Sequence, residues 1–157
     1  MNKYRTHNCA ELNEELIGKI VYLSGWLHRR RDHGNLLFVD LRDHYGITQC
    51  VIENNSKFFP ILEKSKPETV LKIIGKVVRR ASGTENLDLK TGKIEISIVS
   101  LEVLSDAKDL PMPVFGEQDY PEDIRLKYRF LDLKIMFLCI SSLLRSKNLY
   151  FNLISSG

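Results

Sequence analysis

Residues 24–51 constrain the fold more than any other part of this 157-residue chain. Apolar and polar side chains alternate along three short runs, and two polar turns separate these runs. Successive side chains point to opposite faces of a strand, so this period predicts three adjacent strands with one buried face. The first turn carries three consecutive arginines, Arg29, Arg30 and Arg31, and the second turn ends at Gly46.

Phe38 lies on the face of the second predicted strand that should be exposed, together with Asp40 and Arg42. An aromatic ring beside arginines can stack on an unpaired base while the arginines hold phosphates. The alternative is that a loop covers Phe38 and that the arginines form a solvated turn. On these residues alone, both interpretations stand.

The order of the predicted elements indicates the fold class. Strands are predicted over residues 20–31, 36–43, 47–53, 69–80 and 93–104, with a helix over 56–66 that Ser56 caps. One helix between strands three and four is typical of the all-β OB-fold, a five-stranded Greek-key barrel. Gly25 and a slip in alternation at Val99 predict the bulges that a small barrel needs.

Three regions are expected along the chain. Residues 1–105 form the barrel, after an irregular lead-in with a helical turn over 11–16. Residues 106–133 form a proline-containing linker and a charged hinge helix over 122–132, and residues 134–157 form an apolar helical tail. The tail is apolar on every side at its start, a pattern that requires burial on every side.

Composition excludes several classes of protein. The net charge is +3, but residues 134–157 carry three basic and no acidic side chains, so residues 1–133 sum to zero. Any binding of nucleic acid must therefore rest on a local patch. The three cysteines have no zinc or disulfide spacing, which favours a reducing, cytoplasmic setting. No segment has the length of a membrane span or the pattern of a signal peptide.

No catalytic motif is recognisable in the chain. The glycine–lysine pairs lack the rest of a phosphate-binding loop, and the four histidines lack metal-ligand spacing. Asp32, Asp40 and Asp43 lie among arginines, so we expect ion pairs or turn caps rather than acid–base chemistry. We predict no catalytic residue and no metal site.

The amino-acid sequence of several segments resembles that of the N-terminal anticodon-binding domain of bacterial aspartyl-tRNA synthetases. The residues that carry the resemblance are Gly25–Leu36, Phe38–Asp43, Gly46–Gln49, the opening Tyr4–Cys9 and the hinge Glu122–Leu133. The resemblance covers about residues 3–133, and it is more specific than a general OB-fold pattern.

The resemblance implies roles for the first three strands. Phe38 would stack on the middle uridine of the anticodon, and Gln49 would hydrogen-bond that base. Arg29, Arg30 and Arg31 would contact the anticodon backbone and its third base.

Further roles implied by the resemblance concern other parts of the barrel. Arg79 and Arg80 would add phosphate contacts, and Thr84 occupies a loop position where many members of the family carry asparagine, with Asn86 two positions on. His33 is similar to the residue of synthetases that charge both aspartate and asparagine tRNAs. The implied partners are tRNA(Asp), with tRNA(Asn) as a second candidate.

The resemblance also implies what lies beyond this chain. Full-length members are homodimers that join aspartate to tRNA with ATP and magnesium, through motifs that would lie beyond residue 157. We therefore expect no cofactor here and no aminoacylation by this chain alone. Two alternatives stay open: a free-standing OB protein that binds single-stranded nucleic acid, and an interaction domain whose tail docks on a partner protein.

Overall fold

The computed structural model describes residues 4–111 and 121–134, and the chain divides into two compact units, Met1–Lys108 and Asp109–Gly157. The strands of the first unit are β1 (Ile20–Asp32), β2 (Leu36–Arg42), β3 (Ile47–Glu53), β4 (Val70–Arg79) and β5 (Ile94–Ser105). A 3-10 helix at Glu14–Leu16 precedes them, and α1 (Phe59–Lys64) lies between β3 and β4. The second unit contains α2 (Glu122–Lys127).

The five strands close into a barrel in the order β1-β2-β3-β5-β4. All neighbouring pairs are antiparallel except β3 and β5, which are joined in parallel by only two residue pairs, Cys50 with Ile96 and Val51 with Ser97. This topology confirms the predicted five-stranded OB barrel with one helix between strands three and four.

Both predicted bulge regions are irregular in the structure. The β1–β2 register shifts between Leu27 and Arg29, two residues after Gly25. The β4–β5 register shifts at Val99, which is the extra residue on β5. Gly25 is needed for a close approach of strands, because a Cβ there would clash with the carbonyl oxygen of Arg42.

Alternating aliphatic side chains fill the barrel and decide which residues face outwards. Leu37, Val39 and Leu41 are fully buried, as the sequence pattern predicts. The other strands and α1 contribute Val21, Leu23, Leu27, Cys50, Ile52, Leu62, Leu71, Ile73, Val77, Ile94 and Ile96. Burial of each large aliphatic side chain is worth about 1.5–3 kcal/mol, so a one-residue slip in any strand would be costly.

The helix between β3 and β4 is shorter than predicted. It spans Phe59–Lys64, and its N-cap residue is Phe58, which makes no side-chain capping bond. Ser56 was predicted as the cap, but it lies before the helix, where its hydroxyl accepts a hydrogen bond from the Phe58 amide at 3.3 Å. Pro60 explains the late start, because proline lacks an N–H and is tolerated in the first turn of a helix.

The remaining helical predictions also need correction. The N-terminal turn is a three-residue 3-10 helix rather than a turn over 11–16. The hinge helix does not run unbroken over 122–132, because α2 ends at Lys127 and Tyr128 adopts a non-helical backbone before helical residues resume. Residues 112–120 of the linker and 135–157 of the tail lie outside the described residues.

Candidate nucleic-acid interface

The strand register places charged, amide and aromatic side chains on one outer face of the barrel. Arg31 lies opposite Phe38 on β2, and Arg29 lies opposite Asp40. Asp40 in turn lies opposite Gln49 on β3. Directly opposed residues of antiparallel strands share a face, so these five side chains are neighbours on one surface.

Phe38 is half-buried at the edge of this surface, beside the β1–β2 turn. The exposed His33 ring contacts it edge-on, with ring centroids 5.2 Å apart and planes at 89°. The turn holds His33 in place, because the Asp32 carboxylate accepts a hydrogen bond from the Gly34 amide at 2.7 Å and Gly34 adopts a positive φ of 76°. Phe38 keeps part of its surface accessible, as stacking on a base requires.

Arg31 bonds to the carboxylate of Asp40 on β2 and to the amide of Gln49 on β3. Its Nη2 donates to Asp40 Oδ1 at 2.7 Å and to Gln49 Oε1 at 3.3 Å. The Arg31 side chain stays 43% exposed, whereas that of Asp40 is only 13% exposed. Burial raises the pKa of Asp40 above its usual range, and the nearby arginines 31, 29 and 80 oppose this rise.

Gln49 is only 8% exposed, and both ends of its amide are engaged. Its Oε1 accepts from Arg31, and its Nε2 donates to Glu95 Oε2 at 2.8 Å. An amide offers two N–H donors and two lone pairs, so each end retains the capacity for one more hydrogen bond. Sequence reasoning missed Glu95, since only the closure of β5 against β3 brings it to this face.

Arg80 is the most deeply buried basic residue near this surface, at 4% exposure. Its Nε donates to the Ile94 carbonyl at 3.0 Å, but its Nη2 is buried without a hydrogen-bond partner among residues 4–111 and 121–134. Burial lowers the pKa of Arg80, and the neighbouring Glu95 and Asp40 oppose this. Because this atom is inaccessible, Arg80 contributes positive charge to the surface rather than an exposed donor.

These side chains form one surface, which we name the Phe38 face. It consists of Arg29, Arg31, His33, Phe38, Asp40, Gln49, Arg80 and Glu95. Three arginines oppose two carboxylates, which leaves an excess of one positive charge beside an aromatic ring. Such a surface can stack a base, bond its edge and attract its phosphates.

Arg30 lies elsewhere, although it belongs to the same run of three arginines. It lies opposite the buried Val39, on the other side of β1 from its two arginine neighbours. Its Nη1 donates to the carbonyls of Leu62 (3.1 Å), Glu63 and Ser65 (3.0 Å) at the end of α1. The last carbonyls of a helix lack partners within the helix, so Arg30 completes α1 and ties it to β1.

The structure does not bring Arg79 and Thr84 to the Phe38 face. Arg79 is 68% exposed and pairs with Glu14 at 2.8 Å, and Lys93 contacts the same carboxylate at 3.2 Å. The Thr84 hydroxyl donates to the Ala81 carbonyl at 2.7 Å within the exposed loop after β4. Among the described residues, Arg79 and Thr84 therefore bond to partners that are not part of the Phe38 face.

The three aspartates among the arginines have the structural roles that the sequence predicts. Asp40 is ion-paired with Arg31, and Asp32 caps the β1–β2 turn. Asp43 caps the β2–β3 turn, where its Oδ1 accepts from the amides of Tyr45 and Gly46, both at 2.8 Å.

Across residues 4–111 and 121–134, no three His, Cys, Asp or Glu side chains are grouped so that they could hold a metal ion. Among those same residues, no helix has the length and apolar character needed to cross a membrane.

A closed five-stranded barrel with an aromatic and basic outer face defines a module for binding nucleic acid. Residues 21–104 match the tRNA anti-codon family model, which describes an OB-fold nucleic acid binding domain. The chain belongs to this family.

The relatives define the similarity further. The chain is 60% identical over 134 residues to the aspartate–tRNA(Asp/Asn) ligase of Bradyrhizobium diazoefficiens, which covers 85% of the chain and 23% of that protein. It is 57% identical over 151 residues to the enzyme of the same name from Pelagibacter ubique, covering 96% and 25%. The chain therefore spans about a quarter of the length of these relatives.

A solved structure shows the same relationship. The asparaginyl-tRNA synthetase of Pyrococcus horikoshii superposes with a TM-score of 0.66 and 30% identity, over 80% of this chain and 28% of that one. Together these matches confirm the resemblance to the N-terminal domain of aspartyl-tRNA synthetases that the sequence indicates.

Proposed function

We propose that this chain recognises the anticodon loop of tRNA, as the N-terminal part of an aspartate–tRNA(Asp/Asn) ligase. The observation that carries the proposal is the convergence of Phe38, Gln49 and Arg31 on one face of the barrel. The family match and the names of the relatives support this reading over a general single-strand binder.

Each part of the Phe38 face has a task in this reading. Phe38 stacks on the middle base of the anticodon. The Gln49 amide uses its remaining donor and acceptor to hydrogen-bond the edge of that base. Arg29 and Arg31 hold the backbone, because guanidinium groups bind phosphate oxygens in a fixed geometry. The buried Arg80 adds a positive charge close to Asp40 and Glu95 of this face.

His33 would influence the third base of the anticodon. Its ring touches Phe38 and is exposed, so it lies next to the position of a stacked middle base. We expect it to accept either C or U there, which would allow both tRNA(Asp) and tRNA(Asn) to bind. Equal affinity for stem-loops ending in C and in U supports this role, and a clear preference for C contradicts it.

The remaining steps would require residues outside those described here. Ligation of aspartate with ATP and magnesium, and assembly into a homodimer, belong to the proposal for a full-length protein in the cytoplasm. The contribution of residues 4–111 is selection of the tRNA.

Binding to tRNA anticodon stem-loops tests the proposal. We expect tight binding to a loop that carries G-U-C, and loss of binding when the middle U is changed to A. A poly-pyrimidine strand of equal length serves as the control. Equal binding to all three would identify a general single-strand binder instead, and no binding to any of them would reject both readings.

A further inference from the structure

We propose that the outer face of β1, β4 and β5 is a self-complementary docking surface for a second copy of this chain. This face, which we name the β4 face, consists of Ile20, Tyr22, Ile74, Lys76, Val99 and Glu102. In the ring of strands, β4 lies farthest from β2 and β3. The inference therefore concerns a surface separate from the Phe38 face, and it goes beyond the function proposed for that face.

Strand register gathers an apolar centre on the β4 face. Tyr22 on β1 lies opposite Ile74 on β4, and Ile20 lies two residues before Tyr22 on the same side of β1. Val99 lies beside Ile74 on β5, as the extra residue of the bulge. Ile20, Val99 and Tyr22 are 50%, 58% and 38% exposed. Single exposed apolar side chains are ordinary, but a contiguous group across three strands is typical of an interaction site.

Charged side chains flank this apolar centre at its two ends. Lys76 lies two residues after Ile74 on β4, is exposed, and forms no ion pair with any residue of 4–111 or 121–134. Lys72 lies two residues before Ile74 and pairs with Glu102 on β5 at 3.1 Å. The Glu102 side chain is 61% exposed and that of Lys72 is 15% exposed, so the carboxylate projects further towards a partner. The face therefore presents a positive charge at one end and a negative charge at the other.

This arrangement of charges is complementary to itself. A two-fold axis that lies in the interface and crosses the strands at Ile74 places β4 of one copy antiparallel to β4 of the other. Lys76 of each copy then meets Glu102 of the other, and the Tyr22 and Ile74 side chains pack against their own counterparts. A two-fold axis along the strands would instead oppose the two Lys76 side chains, which like-charge repulsion disfavours.

The size of the β4 face sets the strength of the contact. It covers three strands and the length of β4 from Lys72 to Lys76, so it is roughly 15 Å across. A standard stable interface buries roughly 800 Å² on each partner, which is more than this face supplies. We therefore expect a reversible dimer whose population rises with protein concentration. Because β4 lies farthest from β2 and β3, both Phe38 faces stay open in this dimer.

Sedimentation equilibrium of the full chain, without RNA, tests the inference. We expect the wild type to pass reversibly from monomer to dimer as its concentration rises from the micromolar to the millimolar range. Lys76→Glu and Glu102→Lys should each raise the dimer dissociation constant by at least about tenfold, because each opposes like charges at both ends of the interface. The matched control is Lys90→Glu in the exposed loop after β4, which should leave the constant unchanged.

A mixture of the two charge-reversal variants tests the two-fold geometry itself. When a Lys76→Glu chain pairs with a Glu102→Lys chain, one contact has its charges exchanged and the other keeps its original residues. Both contacts are then attractive. We expect the mixture to regain the wild-type dissociation constant to within about threefold, although each variant alone associates poorly. A mixture that associates as poorly as the separate variants would overturn the inference.

The remaining outcomes assign the contact elsewhere. Val99→Asp places a charge in the apolar centre and should also weaken the dimer by at least about tenfold. A wild type that dimerises equally well with all three substitutions associates through other residues, such as the apolar segment 135–157, and the inference is then wrong. A wild type that stays monomeric throughout leaves the β4 face to a different protein or to none, and the inference fails. Binding of stem-loops is measured separately, so the proposed function is tested on its own.

Discussion

The sequence predicts RNA contacts both in the Phe38 face and in a second region, which consists of Arg79 at the end of β4 and the loop region 81–93, but the two are built differently. In the Phe38 face, hydrogen bonds join residues far apart in sequence, such as Arg31 with Gln49 and Gln49 with Glu95. In the loop region many bonds are short-range, such as that of Thr84 with Ala81. The first surface is fixed by the barrel, whereas the second depends largely on its own turns.

This difference teaches where a prediction of function from sequence can succeed. Strand register places side chains without knowledge of any loop, so an alternating pattern identifies a shared face. This rule stops where β4 ends at Arg79. Arg79 and Arg80 are adjacent in sequence, yet one is exposed and ion-paired with Glu14 while the other is buried near Glu95.

Removal of the aromatic ring should have the largest effect on binding. Phe38→Ala should weaken the affinity for a G-U-C stem-loop by about tenfold or more, because each base stacked on an aromatic ring is worth roughly 1–3 kcal/mol. Thr84→Ala is the matched change in the loop region and should alter the affinity by less than about twofold. Titration of both variants measures the contrast, and equal losses would remove the distinction between the two regions.

Arg30 should matter for stability rather than for binding. Arg30→Gln should lower the free energy of unfolding by about 1–3 kcal/mol, because hydrogen bonds from a charged donor to the carbonyls of α1 are lost. Urea denaturation measures this change. At a temperature where the variant stays folded, its RNA affinity should match wild type. A large loss of RNA affinity with an unchanged free energy of unfolding would show that Arg30 contacts RNA.

Salt dependence should separate two arginines that each form one ion pair. Arg31→Gln breaks the pair with Asp40, and Arg79→Gln breaks the pair with Glu14. If Arg31 neutralises a phosphate, its loss should reduce the slope of log affinity against log salt by about one. The Arg79 variant should keep the wild-type slope. Equal reductions in both would extend the binding surface into the loop region.

The smallest effect should come from His28, on the strand that carries the arginines. Burial, together with the charges of Arg42 and Arg29, lowers the pKa of His28 to about 4 from its ordinary value of 6.5. His28 therefore binds a proton near pH 6.5 in the unfolded chain but only near pH 4 in the folded chain. The free energy of unfolding should fall as the pH drops from 6.5 to 4.

Comparison of wild type with His28→Gln isolates this contribution. Because the side chain is partly exposed, solvent screening reduces the effect to about 1 kcal/mol. The free energy of unfolding should depend less on pH in the variant over that interval. Parallel pH profiles for the two chains would show that His28 is not held neutral.

Much of the barrel was predictable because its signals are local and repeated. The alternation in β2 identified the buried residues Leu37, Val39 and Leu41, and the slip at Val99 identified a bulge. Helix boundaries were less predictable. Ser56 is a suitable capping residue, yet the position of Pro60 moves the start of α1 beyond it.

The binding surface was predictable only in part. Phe38, Arg31 and Gln49 share a face by strand register, which the sequence pattern shows. The separate role of Arg30 depends on where α1 ends, and the presence of Glu95 depends on how the barrel closes. Neither is encoded by spacing along the chain, so both required the structure.

The narrow junction between β3 and β5 has a consequence for the order in which the chain becomes competent. Gln49 and Glu95 meet across it although they are 46 positions apart. Contacts of such long range form at a high cost in chain entropy, so they favour late formation on the folding pathway. In a nascent chain, the arginines and Phe38 leave the ribosome before β5. The Phe38 face is therefore complete only after β5 has been synthesised.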